Sequence, residues 1–263
     1  MGSNKKRLAI AGCGFLGNIV MDGWCNGLLP EYEIVGVLGR DPGKAQAMAD
    51  KAGCPVCKTI QELLETKPDY VAEMASVQLV KDIAEPVLTS GANLVVLSIG
   101  AFADEEFYEH IQSVARENGT RVHIASGAIG GFDVLRTVSL MGQVNTEMVT
   151  HKGPKSLENT PVFQEGLMEA KEETEVFSGN TKEAIRLLPT KVNVSVAASL
   201  ATAGTENTKF SIVSVPGMTG DDHKITAEIH GVKAVVDIYS STSAIAGWSV
   251  VALLRNLVSP IVF

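Results

Sequence analysis

The stretch Leu8-Ala-Ile-Ala-Gly-Cys-Gly-Phe-Leu-Gly17 decides the fold of the first half of this chain. Four apolar residues run into a Gly-x-Gly-x-x-Gly turn, and a helical pattern opens directly behind it. In that arrangement Gly12 permits the tight turn, Gly14 lets the backbone approach a pyrophosphate, and Gly17 lets the helix pack closely on the strand. The unpaired N–H groups of the helix start, at Phe15, Leu16 and Gly17, and its positive dipole end then face the phosphates. Glycine turns are common, so the motif alone is weak evidence. The strand before it and the helix after it supply the context that a dinucleotide site requires.

Working outward, strand-like apolar runs near residues 6–11, 32–38, 69–73, 93–98 and 121–125 alternate with helical stretches near 15–27, 43–52, 77–90 and 104–118. Val80, Ile83 and Val87 share one face of the third helix at helical spacing. Such alternation predicts βαβ units, a parallel sheet, and a ligand at the carboxyl ends of its strands. The texture changes after about residue 130. The run His151-Lys-Gly-Pro-Lys-Ser-Leu-Glu-Asn-Thr-Pro161 reads as a loop, and Asn180-Thr-Lys-Glu183 reads as the cap of a short helix. A small-residue helix after Asn193, three strand-like runs near 207–214, 223–230 and 232–239, and a last apolar helix over 243–257 complete the pattern. The expected architecture is α/β, an N-terminal Rossmann-type parallel sheet with a C-terminal α+β domain whose sheet is antiparallel. The domains fall at 1–130 for the dinucleotide, 131–242 for substrate and catalysis, and 243–263 for a C-terminal helix packing back on the first.

Composition narrows the function. A chain of 263 residues with 45% hydrophobic content is long enough for one large or two modest cores. Thirty acidic against 22 basic residues, a net charge of −8, argue against a nucleic-acid partner. No segment approaches the roughly 18–20 continuous apolar residues that cross a bilayer. The start, Met-Gly-Ser-Asn-Lys-Lys-Arg, lacks a signal-peptide pattern, so the reading is a cytoplasmic protein without a membrane partner. Cys54-Pro-Val-Cys57 has metal or redox spacing, but there is no second ligand pair nearby, and the expectation is two small half-buried residues and no metal.

Cofactor choice is written where the second strand ends. An acidic residue there binds the adenosine ribose hydroxyls of NAD. This chain reads Val37-Leu-Gly-Arg-Asp41, which puts Gly39 and Arg40 in that place. Glycine leaves room for a 2′-phosphate and a guanidinium pairs with it bidentately, which favours NADP over NAD. The plainer alternative has Asp41 on the ribose and Arg40 solvated. Two further glycine turns, Ser98-Ile-Gly-Ala-Phe-Ala-Asp104 and Ala125-Ser-Gly-Ala-Ile-Gly-Gly-Phe-Asp133, follow strands at the same sheet edge, where the nicotinamide half extends.

Ser98-Ile-Gly-Ala101, Ser126-Gly-Ala-Ile-Gly-Gly131, Val176-Phe-Ser-Gly179 with Glu183-Ala184, and Pro189-Thr-Lys-Val-Asn-Val194 occur in order. Together they resemble the L-aspartate dehydrogenase family, from Ala9 to the C-terminal helix. The resemblance implies reversible, NAD(P)-dependent oxidative deamination of aspartate through an imine. It also implies a Rossmann domain, a second domain that completes the site, and a homodimer. By the same resemblance Ala128 and Asn193 fall on cofactor-binding positions, and an amide at 193 is able to orient a nicotinamide carboxamide. Independently, Asn193 fits as the N-cap of the helix behind it.

The family's catalytic histidine follows a Pro-containing turn. Val215-Pro-Gly-Met-Thr-Gly-Asp-Asp-His223 places His223 at the matching distance, where an imidazole titrating near neutrality activates the water that attacks the imine. His230 is a rival; His151 and His123 read as solvated or packed. The substrate side departs from the family. Val215-Pro216 stands for its Asp-Pro, Gly220-Asp221 for its Arg-Asn, and Tyr239-Ser-Ser-Thr-Ser243 for a segment with a lysine. Two cations for a dicarboxylate are thereby missing, with Lys152, Lys155 or Lys191 as candidates to compensate. The implied partners are an amino acid or keto acid plus ammonia, bound in the cleft against the second domain. The competing readings are a dehydrogenase or imine reductase for a different amino acid, and a non-catalytic dinucleotide sensor.

Overall fold

The computed structural model describes residues 5–188 and 192–263. The chain divides into two units, Met1–Gly127 with Ala244–Phe263, and Ala128–Ser243.

The first unit alternates strand and helix. Its elements are β1 (Lys6–Ala11), α1 (Phe15–Cys25), β2 (Tyr32–Leu38), α2 (Pro42–Ala52), β3 (Val56–Cys57), α3 (Ile60–Glu65), β4 (Tyr70–Glu73), α4 (Val77–Thr89), β5 (Asn93–Val96), a 3-10 turn (Ile99–Ala103), α5 (Glu105–Asn118) and β6 (Val122–Ile124). All strand pairs in this sheet are parallel, in the order β3-β2-β1-β4-β5-β6. That is the doubly wound order, with its switch point between β1 and β4. Leu8, Ala9, Ile10 and Ala11 are fully buried, which is why β1 reads as a continuous apolar run rather than an alternation.

Helix ends follow local chemistry. Asp41 caps α2 by accepting from the N–H groups of Gly43 and Lys44, Pro42 sits at the first helical position, and Gly53 closes the helix at φ +66°. Ser76 and Asp104 cap α4 and α5 in the same way. The short pieces β3 and α3 lie between two expected elements and carry too little periodicity to announce themselves.

The second unit contains α6 (Phe132–Leu140), β7 (Asn145–Lys152), α7 (Pro154–Leu157), β8 (Thr174–Asn180), α8 (Thr181–Leu187), α9 (Asn193–Leu200), β9 (Thr208–Ser214), β10 (Asp221–Ile229) and β11 (Val232–Ser240). Its sheet runs β11-β10-β7-β9-β8. The expected antiparallel sheet is in fact mixed, because β7 and β9 pair in parallel while the other pairs are antiparallel. The expected loop over 151–161 is also corrected. His151 and Lys152 end β7, and α7 follows. Polar Thr146 and Thr150 point inward beside Met148, so the strand buries an alternating face without an apolar pattern. The Asn180 signal holds as a full capping box, Asn180 accepting from the Glu183 N–H while Glu183 accepts from the Asn180 N–H.

The last helix, α10 (Ala244–Val258), belongs to the first unit. Val250, Val251 and Leu254 are buried on it, and Tyr32 donates its hydroxyl hydrogen to the Leu254 carbonyl at 2.8 Å. Burying each such side chain contributes about 2 kcal/mol. The helix approaches α1 closely at two glycines. A Cβ on Gly247 would lie 2.9 Å from Ile19 Cβ, and one on Gly23 would lie 3.3 Å from Val251 Cγ2.

Candidate active site

The glycine loop is built as its spacing requires. Gly12 sits at φ +124°, and a Cβ there would meet the Met74 carbonyl carbon and oxygen at 2.8 Å. A Cβ on Gly17 would lie 1.9 Å from the Gly12 carbonyl oxygen, so α1 seats directly on the loop only without a side chain. Gly14 is different, since a Cβ on it would meet no atom within 4 Å. It stands as the N-cap of α1 with no side-chain capping bond, and the first turn holds no acidic residue. The start of α1 at Gly14 therefore opens onto free space from a positive helix end, with Phe15 exposed, Leu16 half-buried and Gly17 buried. This cradle fits a pyrophosphate.

At the end of β2 the structure gives Gly39 a packing reason. A Cβ there would fall 2.5 Å from Cys13 Sγ and 3.3 Å from Ala45 Cβ. Glycine at this position thus has a packing requirement of its own, since Cys13 fills the place of a Cβ. Arg40 is exposed and makes no ion pair among the described residues. Asp41 spends one carboxylate oxygen on capping α2, which accounts for it without a ribose.

The turns after β4 and β5 are joined by a group that pattern reading did not mark. Glu73 ends β4 with no exposed surface. Its Oε1 accepts from the Ala75 N–H (2.7 Å), the Ser76 N–H (2.9 Å) and the Ser98 hydroxyl (2.9 Å), and Oε2 accepts from the Ser98 N–H (3.1 Å). Burial raises its carboxyl above the ordinary range against the pull of these donors. No motif marks such a residue, because one partner lies 25 positions away. Farther along the edge, Gly127 at φ +65° donates its N–H to Ser249 Oγ of α10 at 3.0 Å.

The second unit carries the other candidates. Ala128 is half-buried just before Gly131, whose φ is +69° and where a Cβ would meet Val236 Cγ2 at 2.5 Å. Asn193 is the first helical residue of α9 and half-buried. Val192 holds the cap position, so the N-cap alternative for Asn193 is not what forms. Lys191 lies outside the described residues, and Lys155 is exposed.

His223 differs from its expectation in two respects. It lies inside strand β10, which starts two residues before the expected run over 223–230, and it is only 3% exposed. Its cross-strand partner is Thr150, whose Oγ1 is 3.0 Å from the imidazole Nδ1. Two residues earlier, Asp221 pairs across β7 with Lys152, their Oδ2 and Nζ 2.5 Å apart and the lysine 14% exposed. Alternation along both strands puts these four side chains on one face. Burial, and then the Lys152 cation, push the His223 imidazole down to about 4 against the opposing pull of Asp221. It does not titrate near neutrality but stands neutral there. In the tautomer that donates Nδ1–H to Thr150, Nε2 keeps its lone pair and serves as a base.

The preceding turn is fixed from both sides. The Val215 N–H donates to the Lys152 carbonyl at 2.8 Å, and a Cβ on Gly220 (φ +85°) would fall 2.3 Å from the Ser240 oxygen. Of the other histidines, His230 is exposed between β10 and β11. His151 is half-buried on β7, 3.5 Å from Asp222 Oδ2. His123 packs 6.1 Å from the Tyr70 ring, and burial lowers its imidazole. The four cysteines are free, and burial pushes Cys13 and Cys54 up to about 11, away from thiolate chemistry. Among the described residues no cluster of three or more His, Cys, Asp or Glu is placed to hold a metal ion.

Comparison with known proteins also divides the chain near residue 130, with the second match running on through most of α10. A family model for the aspartate dehydrogenase C-terminal domain matches residues 133–257, and one for the NAD binding domain of homoserine dehydrogenase matches residues 12–125. Over 97% of its length the chain is 28% identical to the L-aspartate dehydrogenase of Methanocaldococcus jannaschii, covering 98% of that protein. It is 29% identical, at the same coverage, to that of Methanococcus maripaludis. The crystal structure of aspartate dehydrogenase from Thermotoga maritima matches with a TM-score of 0.81 at 29% identity, covering 99% of this chain and 100% of that one.

Proposed function

The chain belongs to the L-aspartate dehydrogenase family, and from that premise we propose that it catalyses the reversible, NAD(P)-dependent oxidative deamination of L-aspartate. The product of oxidation is iminosuccinate, which hydrolyses to oxaloacetate and ammonia. The observation that carries this reading is the neutral base His223 beside the Lys152 cation on one face of the second sheet, in a chain whose first unit offers an open pyrophosphate cradle. Bound NAD(P) supplies the acceptor for the hydride leaving the substrate Cα. Gly12, Gly14, Phe15, Leu16 and Gly17 hold the pyrophosphate, while Ala128 and Asn193 are assigned to the nicotinamide side. Arg40 is assigned to a 2′-phosphate, so NADP is preferred over NAD.

His223 then acts on protons. Its Nε2 takes a proton from the water that attacks the imine carbon and returns it to the departing amine, while Thr150 holds the ring at Nδ1. Protonation of a buried ring beside Lys152 is unfavourable at rest, which keeps the base available at neutral pH. Lys152, covered and aligned by Asp221, pairs with a substrate carboxylate and stands in for the two cations that Gly220 and Tyr239–Ser243 do not supply. The substitution of those segments is the specific observation that favours a different amino acid as the second reading. The proposed enzyme is a cytoplasmic homodimer. Half-exposed Val235 and Tyr239 on the second sheet support the dimer, and four free cysteines fit a reducing compartment.

The test is oxidation of NADPH and of NADH, measured separately, with oxaloacetate and ammonium. Turnover that requires ammonium supports the aspartate reaction. Turnover without it indicates keto reduction, and binding without turnover on any amino or keto acid indicates a sensor.

A further inference from the structure

A carboxylate buried without a cation is an expensive component, and an apolar residue of similar size is the cheaper choice at a strand end. Glu73 is such a group. It has no exposed surface, and no Lys, Arg or His pairs with it among the described residues. Its partners are four uncharged donors, three of them backbone N–H groups. Three backbone N–H donors converging on its two oxygens favour the ionised carboxylate, against the burial that raises its carboxyl.

The donors come from two separate turns. Ala75 and Ser76 form the turn between β4 and α4, and Ser98 opens the 3-10 turn after β5. The Glu73 main chain adds a third tie, its carbonyl accepting from the Leu97 N–H at 3.1 Å. The same turn backs the glycine loop. Met74 donates its N–H to the Ala11 carbonyl at 2.9 Å and stands where a Cβ on Gly12 would collide. Glu73 thus sits at the switch point of the sheet, at the head of its second half. In this fold the adenosine half of a dinucleotide lies over β1 to β3 and the nicotinamide half over β4 to β6.

We propose that Glu73 is a positioning residue for the nicotinamide half of the cofactor. Its carboxylate locks the turn at residues 74–76 to the turn at residues 97–100, so that the floor on which the nicotinamide ribose and ring settle is preformed. The proposal rests on the cofactor reading given above and assigns one function to a group which that reading leaves unused. Preformed contacts spare the ligand the cost of ordering loops as it binds.

The experiment compares a whole dinucleotide with its adenosine half. Isothermal titration calorimetry of NADPH and of 2′-phospho-ADP is run on the intact protein and on Glu73→Gln and Ser98→Ala. In Glu73→Gln the amide nitrogen must face an N–H donor, whichever way it turns. Affinity for NADPH is expected to fall about tenfold or more, the loss of one hydrogen bond to a charged group. Affinity for 2′-phospho-ADP should stay within about twofold, because that ligand lacks both the nicotinamide ribose and the ring and ends before the second half of the sheet. Ser98→Ala removes a single donor without disturbing the backbone, and it decides the matter if Glu73→Gln does not fold; its expected loss for NADPH is roughly fivefold. A merely structural role weakens both ligands in parallel, and that result, or no change in either, overturns the proposal. Failure of the unaltered protein to bind both probes removes instead the cofactor reading on which it stands.

Discussion

Lowering the pH from 7.5 to 5.5 probes His223 while most carboxylates stay ionised. In the unfolded chain its imidazole titrates at the ordinary value of 6.5, and in the folded protein at about 4. Between those values the unfolded state binds the proton and the folded state does not, so stability rises with pH across that window and falls as pH drops through it. The full interval, at 1.36 kcal/mol per pH unit, amounts to about 3 kcal/mol. Only part of this is lost by pH 5.5, about 1.3 kcal/mol relative to pH 7.5. His223→Asn removes the titration and keeps a polar side chain able to face Thr150. Urea unfolding at the two pH values should therefore show a stability difference about 1.3 kcal/mol smaller in the variant than in the parent. The comparison cancels the contributions of the other four histidines. Equal differences in the two proteins would mean that His223 titrates alike folded and unfolded, and the picture of a ring held neutral by burial and Lys152 would fail. The same picture expects kcat/KM of the parent to show no inflection near 6.5 from the free enzyme's histidine.

Other substitutions test the remaining assignments. Arg40→Gln should raise the Kd for NADPH about tenfold and leave that for NADH nearly unchanged, as fluorescence titration will show; equal effects would remove Arg40 from cofactor selection. Gly39→Ala places a Cβ 2.5 Å from Cys13 Sγ, so Tm should drop, and adding Cys13→Ala should recover part of the loss. Lys152→Met should raise KM for oxaloacetate at least about tenfold. It should also move the His223 titration upward in NMR, since a cation that holds it down is gone while Asp221 remains. An unchanged KM would assign the substrate carboxylates elsewhere.

The first unit was legible because its signals are local. The glycine spacing and the apolar runs of β1 and β2 each act within a few residues, and the structure keeps them. β7 was not legible, since its inward face is Thr146, Met148 and Thr150 and its end is His151-Lys152, a composition that reads as a loop. The strand that holds His223 reads as starting two residues late, at 223, for a related reason. Asp221-Asp222 ahead of it resembles a turn, and Asp221 is tolerable in a strand only because Lys152 stands opposite. Parallel pairing of β7 with β9 joins residues some sixty positions apart, a choice no short window contains. Glu73 is the extreme case, because its donors are gathered by the fold of two turns.

The placement of α10 reverses the order in which the chain can complete itself. Residues leave the ribosome from the amino end, yet Gly23 and Tyr32 meet their partners Val251 and Leu254 only when the final helix is made. A nascent chain halted after Ser243 already holds every residue of the second unit but lacks the cover for α1. The unit begun first is therefore finished last, and for the whole time between it presents apolar surface to chaperones and proteases. Pulse proteolysis of such arrested chains would find residues 1–127 cut before residues 128–243. Along the sequence the second unit is an insertion, set between two segments of the nucleotide-binding unit.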